Sequence, residues 1–127
     1  MNIYKIRAWI RHRIKAKNAY SIHSPYMFEL YNSIIKNKSY SRSRLIKSFE
    51  ARFGKEGIIY IDRDNFEGFS ELENKIYIYI DQYKDESSHR YFEYLISLAE
   101  DRVSIDLFYI GVFIRNKNLS NQNYRLR

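Results

Sequence analysis

Isoleucines at positions 3, 6, 10 and 14 fall at spacings of three and four, so they line one stripe of a helix over about residues 3–17. Trp9 lies beside that stripe, and Lys5, Arg7, Arg11, Arg13, Lys15 and Lys17 fill the other faces. A second helix opens at Ser24-Pro25. Serine can cap free N–H groups there, and proline suits the first helical position because its missing N–H is not needed. Tyr26, Met27, Leu30, Tyr31, Ile34 and Ile35 continue at helical spacing. The basic run NKSYSRSR (37–44) reads as a loop. A third helix over about 43–53 turns Leu45, Ile46, Phe49 and Phe53 inward and stops at Gly54.

After Gly57 the period changes from that of a helix to that of a strand. IIYID (58–62) is a short strand, and the following connector holds one helical turn around 69–74. KIYIYID (75–81) sets Ile76, Ile78 and Ile80 against Tyr77 and Tyr79, apolar on both faces as an inner strand packed on two sides requires. A helix over about 86–100, capped by Asp85 or Ser87, turns Tyr91, Phe92, Leu95, Leu98 and Ala99 inward. RVSIDLFYIGVFIR gives two strands, about 103–107 and 110–115, or one long bent strand; Tyr124 and Leu126 are placed to pair as an edge. The order predicts an α/β fold: two to three N-terminal helices, then a small mixed sheet of about four strands with one main helix. A basic helical arm (1–55) and a sheet unit (56–127) together make one compact domain, with the weakest boundary near 54–57.

Composition narrows the chemistry. Aromatic residues reach 17%, with 13 Tyr and 8 Phe, which suits both cores and interfaces because Tyr buries a ring and keeps a polar tip. The absence of cysteine excludes disulfides and thiolate metal sites. No apolar run approaches the roughly 20 residues that cross a bilayer, and no apolar core of a signal peptide follows the basic N-terminus. The expectation is therefore a cytoplasmic protein with no transmembrane segment.

Charge is uneven. Residues 1–55 carry 13 Lys and Arg against Glu29 and Glu50, whereas the remainder carries nine basic and 13 acidic residues. Either the basic half meets an anionic partner or the two halves attract each other. The commonest use of a basic amphipathic helix is docking by its apolar stripe on its own core, with nucleic acid, a membrane surface and a partner protein as the alternatives. Basic residues interleaved with Tyr and Trp can contact phosphates and stack on bases. Lys5, Arg7, Arg11, Arg13, Lys15 and Lys17 are the candidate anion or nucleic-acid contacts, extended by residues 36–47, although no recognised DNA- or RNA-binding motif is present.

Strand-end acids are the other candidate chemistry. Asp62, Asp64 and Asp81 could gather at the carboxyl ends of parallel strands and hold Mg²⁺; the plainer reading is that strand ends are polar and solvated. His23 reads as a structural hydrogen-bonding residue, His89 with Asp85 fits no metal template, and Asp106 reads as a backbone partner in the closing turn. There is no serine triad order, HExxH, phosphate loop or zinc spacing. No catalytic residue, metal or cofactor is assigned.

Two stretches together carry a resemblance: IRHRIKAKNAYSIHSPYMFELYNSIIKNKSY at the start, and IYIYIDQY followed by RVSIDLFYIGVFIRNK at the end. They resemble the two ends of a group of class I S-adenosylmethionine-dependent methyltransferases common in the Bacteroidetes, in which a basic helix leads into an HSPF-like elbow and the chain closes with an IFDDI-like strand, a helix and an SIDLF…G…VFFR-like strand pair. His23, Ser24 and Pro25 match the elbow, with Tyr26 where Phe is usual. Ile105, Asp106, Leu107, Phe108 and Gly111 match the closing pair. Asp81 matches the first acid of the DDI signature, and Gln82 replaces the second. The resemblance implies the C-terminal half of a Rossmann-like methyltransferase sheet. Such enzymes carry a Gly-rich turn after their first strand so that backbone can approach the cofactor. Here the four glycines, 54, 57, 68 and 111, form no GxG pattern, and the cofactor-binding middle is missing. The implication is a truncated or degenerate methyltransferase-related protein, inactive alone, serving as an accessory or interaction protein. Half a sheet leaves an exposed edge, so a homo-oligomer or a protein partner is expected at the strand 58–61 side.

Overall fold

The computed structural model describes residues 2–15, 25–36, 38, 41–65, 76–80, 82–98, 102–115 and 122–126. The helical turn expected around 69–74, together with Lys17, His23, Ser24, Asp81 and Ala99, lies outside the described residues.

The arm begins with α1 (Ile3–Lys15), whose first turn is capped by the Asn2 side chain accepting from the Lys5 N–H at 2.7 Å. Helix α2 (Pro25–Leu30) starts on its proline and runs into a π-helical turn, Tyr31–Ile35. Ser41 caps α3 (Arg42–Phe53) by accepting from the Arg44 N–H. Gly54 ends α3 at φ 77°, a left-handed conformation that glycine adopts without cost. Arg52 on α3 grips Glu29 on α2 through two bonds of 2.7 and 2.9 Å, fixing these two helices as a pair.

A short 3₁₀ turn leads into β1 (Ile58–Ile61), then β2 (Ile76–Ile80), α4 (Glu86–Leu98), β3 (Arg102–Asp106), β4 (Ile110–Arg115) and β5 (Gln122–Arg125). Among the described residues the sheet has five strands, one more than the sequence suggests, in the order β1-β2-β4-β3-β5. The extra strand is the tail segment, which pairs parallel to β3 with Tyr124 opposite Ile105. Strands β1 and β2 are parallel, and β4 runs antiparallel to both β2 and β3. It follows that β1, β2, β3 and β5 share one direction and the reversed β4 sits inside them. The closing stretch is two separate strands. Leu107–Tyr109 turn between them, with Phe108 at φ 70°, which an aromatic residue rarely adopts.

Alternation along β2 organises the core. Ile76 and Ile78 face a cluster built with Met27, Leu30, Ile34, Leu45 and Phe49 of the arm. Tyr77 and Tyr79 face the opposite way, onto Phe92 and Leu95 of α4. The sheet is thus covered by α2 and α3 on one face and by α4 on the other, and β2 is buried from both sides. Asp85 caps α4 by accepting from the Ser88 N–H at 2.7 Å, a bond that holds its carboxyl below the usual carboxylate range. Leu98, expected to face inward, is half exposed at the end of α4, one turn past the fully buried Leu95.

Gly111 sits on the α4 face of β4, between Tyr79 of β2 and Asp106 of β3. A Cβ there would lie 2.2 Å from the Phe92 ring and 2.4 Å from Gln82 Oε1. Glycine at this position gives α4 its seat.

Helix α1 corrects the sequence reading. It docks on its own domain, but not by the isoleucine stripe. Ala8 and His12 are buried, Tyr4 is partly so, and these three lie one turn apart on the inward face. Ile3, Ile6, Ile10 and Ile14 are 71%, 44%, 48% and 76% exposed and look outward.

Candidate functional site

The carboxyl ends of the parallel strands lie along one side of the sheet, and in open α/β sheets that is where ligands bind. Asp62 follows β1, Gln82 and Tyr83 follow β2, Asp106 ends β3, and Leu126 follows β5. Helix α1 lies across this side and is held there by a buried polar cluster.

Asp106 is the hub. Its Oδ1 accepts from Gln82 Nε2 at 2.5 Å and from the Phe108 N–H at 3.0 Å. Its Oδ2 accepts from the Tyr83 hydroxyl at 2.6 Å, with Arg125 Nε at 3.6 Å. Gln82 Nε2 also reaches the carbonyls of Phe108 and Ile110, so the amide pins the strained turn from two sides. The Phe108 ring stacks on Tyr83 at 4.9 Å and lies 5.8 Å from the His12 ring. These contacts fix the positive φ of Phe108.

His12 joins the arm to this hub. Its Nε2 lies 2.9 Å from the Leu126 carbonyl, which can only accept, so Nε2 carries the proton. Nδ1 then faces Asp106 Oδ1 at 3.6 Å and has no hydrogen-bond partner. Burial pushes the imidazole below its ordinary pKa, with the Asp106 charge opposing and the Arg125 and Arg13 charges adding to the fall. Tyr83 is raised by burial and by the adjacent Asp106 carboxylate, so it stays a hydroxyl donor.

Beside this cluster, between α1 and α4, lies a cleft of about 440 Å³. Arg7 and Arg11 line one wall, and Glu86 and Glu93 the other, with His89 and Arg125 at the back. A second hollow of about 230 Å³ adjoins it through His89, Glu93 and Arg125. His89 Nε2 donates to Glu93 Oε1 at 2.8 Å, and its ring stacks on Tyr83 at 4.4 Å; its sequence neighbour Asp85 is instead the helix cap.

The strand-end acids do other work. Asp62 Oδ1 accepts the N–H groups of Asp64 and Asn65, both at 2.8 Å, closing the turn after β1. The Asp64 side chain is 81% exposed beside Arg63. No group of three or more His, Cys, Asp or Glu could hold a metal ion among the described residues. Of the basic candidates, Arg7, Arg11 and Arg13 are exposed along α1 and Lys5 is half-buried; Lys15 ends α1. No described helix is long and apolar enough to cross a membrane.

The arrangement is a latch that ties α1 to the ends of β3 and β5. Three donors are directed at the Asp106 carboxylate, from Gln82, Tyr83 and the Phe108 N–H. Sequence reading assigned Asp106 to the closing turn and missed its wider role, along with His12, Gln82 and Tyr83. One signal was available: Tyr4, Ala8 and His12 recur every four residues on the face of α1 opposite the isoleucines. Comparison with protein families, curated proteins and solved structures found no match to the chain.

Proposed function

We propose that this is a methyltransferase-related protein that does not methylate by itself and acts as an accessory or interaction protein through the open edge of its sheet. Placement of the glycines carries the reading. Gly54 and Gly57 precede β1 instead of following a parallel strand, and Gly111 is filled from above by Phe92 and Gln82; Gly68 lies outside the described residues. The described residues therefore do not fit a backbone cradle for a nucleoside. The two stretches that carry the resemblance meet in the fold, with His12 of the initial stretch facing Asp106 of the closing one.

The interaction role follows from β1. It lies at the end of the sheet and pairs with β2 alone among the described strands. A strand edge of this kind invites another strand. Tyr60, on β1, is 38% exposed, and its hydroxyl, pushed up to about 12 by burial and by Glu50, stays neutral and donates to Glu50.

Two measurements test the reading. Calorimetric titration with S-adenosylmethionine is expected to give no heat, and micromolar binding would overturn the inactive assignment. Small-angle scattering over a concentration series is expected to reveal self-association or, with the partner present, a complex. A stable monomer at high concentration that captures no strand-donating partner would remove the edge role.

A further inference from the structure

Among the described residues, α1 carries five of the large apolar side chains left exposed. Four isoleucines form a continuous exposed stripe, and Trp9, 39% exposed, extends it. Arg7 and Arg11 run along one border, while Arg13 on the other lies over the Trp9 ring at 5.8 Å. Arg7, Ile10, Arg11 and Ile14 line a shallow groove of about 330 Å³ in which guanidinium groups and aliphatic chains stand side by side. No acidic residue occurs in α1.

Charge decides among the possible occupants. A second copy packed stripe to stripe would bring two acid-free cationic helices together, and like charges repel. A nucleic-acid backbone would meet the arginines but would leave four isoleucines against phosphates, with nothing gained from their exposure. An anionic bilayer surface satisfies both features: headgroup phosphates meet the bordering arginines, and the isoleucines and Trp9 enter the boundary with the acyl chains. Helix α1 is about 20 Å long, too short to span and suited to lying in the plane of the interface. The latch of His12 on Leu126 and Asp106 holds the helix by its opposite face, so the stripe is presented on a folded body.

We infer that α1 is a membrane-surface helix that binds anionic phospholipid through the Ile3, Ile6, Ile10, Ile14 stripe and its bordering arginines. This stands apart from the edge role of β1 and does not depend on it.

Trp9 is the single tryptophan, so its emission reports this surface alone. The full chain is titrated with vesicles of phosphatidylcholine, with and without an equal share of phosphatidylglycerol. Binding to the anionic vesicles, with a blue shift of Trp9 emission, is expected to exceed that to phosphatidylcholine by about tenfold and to weaken with salt. The triple variant Ile3→Ser, Ile10→Ser, Ile14→Ser is expected to lose the shift while its thermal unfolding stays near that of the parent, since these side chains look outward. The charge variant Arg7→Gln is expected to retain the fold and bind the anionic vesicles less well. Equal binding to both vesicle types, binding undiminished in the triple-serine variant, or a Trp9 shift that follows protein concentration without vesicles would each overturn the inference. So would duplex DNA or RNA binding that survives the triple substitution in a chain that ignores vesicles.

Discussion

Helices α1 and α4 are each 13 residues long and each amphipathic, yet they dock in opposite ways. Helix α4 buries its apolar face: Phe92 and Leu95 press on Tyr77, Tyr79 and Phe113, and Gly111 opens the space that the Phe92 ring enters. Helix α1 docks by Tyr4, Ala8 and His12, and leaves its largest aliphatic side chains in solvent. In α4, apolar area removed from water supplies the attachment. In α1 a small apolar contact is supplemented by one histidine bonded to a carbonyl and facing a carboxylate. Amphipathic periodicity therefore identifies faces without saying which one is used inward. That choice depends on what the rest of the chain presents.

The comparison is broken most severely on the α4 side. Phe92→Ala is expected to lower stability by about 3–5 kcal/mol, the usual cost of emptying a core aromatic site. Gly111→Ala is expected to cost about 1–3 kcal/mol, because the new Cβ meets the ring at 2.2 Å and the backbone of β4 cannot retreat between two paired strands. The double variant should be less destabilised than the sum of the two, since removing the ring removes the main obstacle. Denaturant midpoints of the four proteins measure this, and strict additivity would mean that the glycine serves something other than the seat of Phe92.

Asp106→Ala breaks the α1 side. It leaves the Tyr83 hydroxyl and the Phe108 N–H without their acceptor and takes one of three acceptors from the Gln82 amide, at an expected cost of about 2–3 kcal/mol. Its diagnostic effect is local. Hydrogen exchange should quicken in α1 and in the Leu107–Tyr109 turn while the amides of α4 change little. Equal loss of protection in both helices would show that the hub supports the whole sheet and does not act as a latch for the arm.

Much of the fold was legible because it rests on local patterns. The Ile/Tyr alternation of β2, the Pro25 start of α2, the Gly54 stop and the paired closing strands each follow from neighbouring residues. What was hidden depends on distant ones. His12 and Leu126 are 114 residues apart, and Gln82 and Asp106 are 24 apart, so neither pairing leaves a periodic trace. The fifth strand was seen only as an edge pairing of Tyr124 and Leu126, because four residues of mixed character carry little alternation. The isoleucine stripe was the most readable feature of α1 and the most misleading, for its periodicity is genuine and its expected partner was not.

A smaller effect separates the two attachments by pH. Burial holds the folded His12 below its ordinary value of 6.5, so the unfolded chain binds its proton first. The contribution of neutral His12 is fully present above pH 6.5 and is lost as pH falls from there through the lowered folded value. Acidification should therefore loosen α1, with Asp106 moderating the loss and Arg125 and Arg13 adding to it. His12→Gln keeps an amide donor for the Leu126 carbonyl and cannot titrate. The fall in denaturant midpoint between about pH 7.5 and pH 5 should be shallower in this variant than in the parent. Parallel pH profiles would remove His12 as the source.

The smallest expected effect sharpens the contrast most. Ile3→Ser and Ile14→Ser alter the most exposed side chains of α1, at 71% and 76% exposure. Isoleucine and serine have similar helix propensity, so little is lost within the helix itself. Each substitution should change stability by no more than about 0.5 kcal/mol. Leu95→Ser, a change to the same residue on a fully buried position of α4, should cost several-fold more, because it removes an aliphatic group from the core and leaves a hydroxyl there without water. If the α1 substitutions instead destabilised the chain by an amount approaching that of Leu95→Ser, the stripe would be covered in solution, and the inward face of α1 would have to be assigned anew. A neutral result means that folding gains little from these isoleucines, which leaves their conspicuous regularity to be explained by contact with something outside the chain.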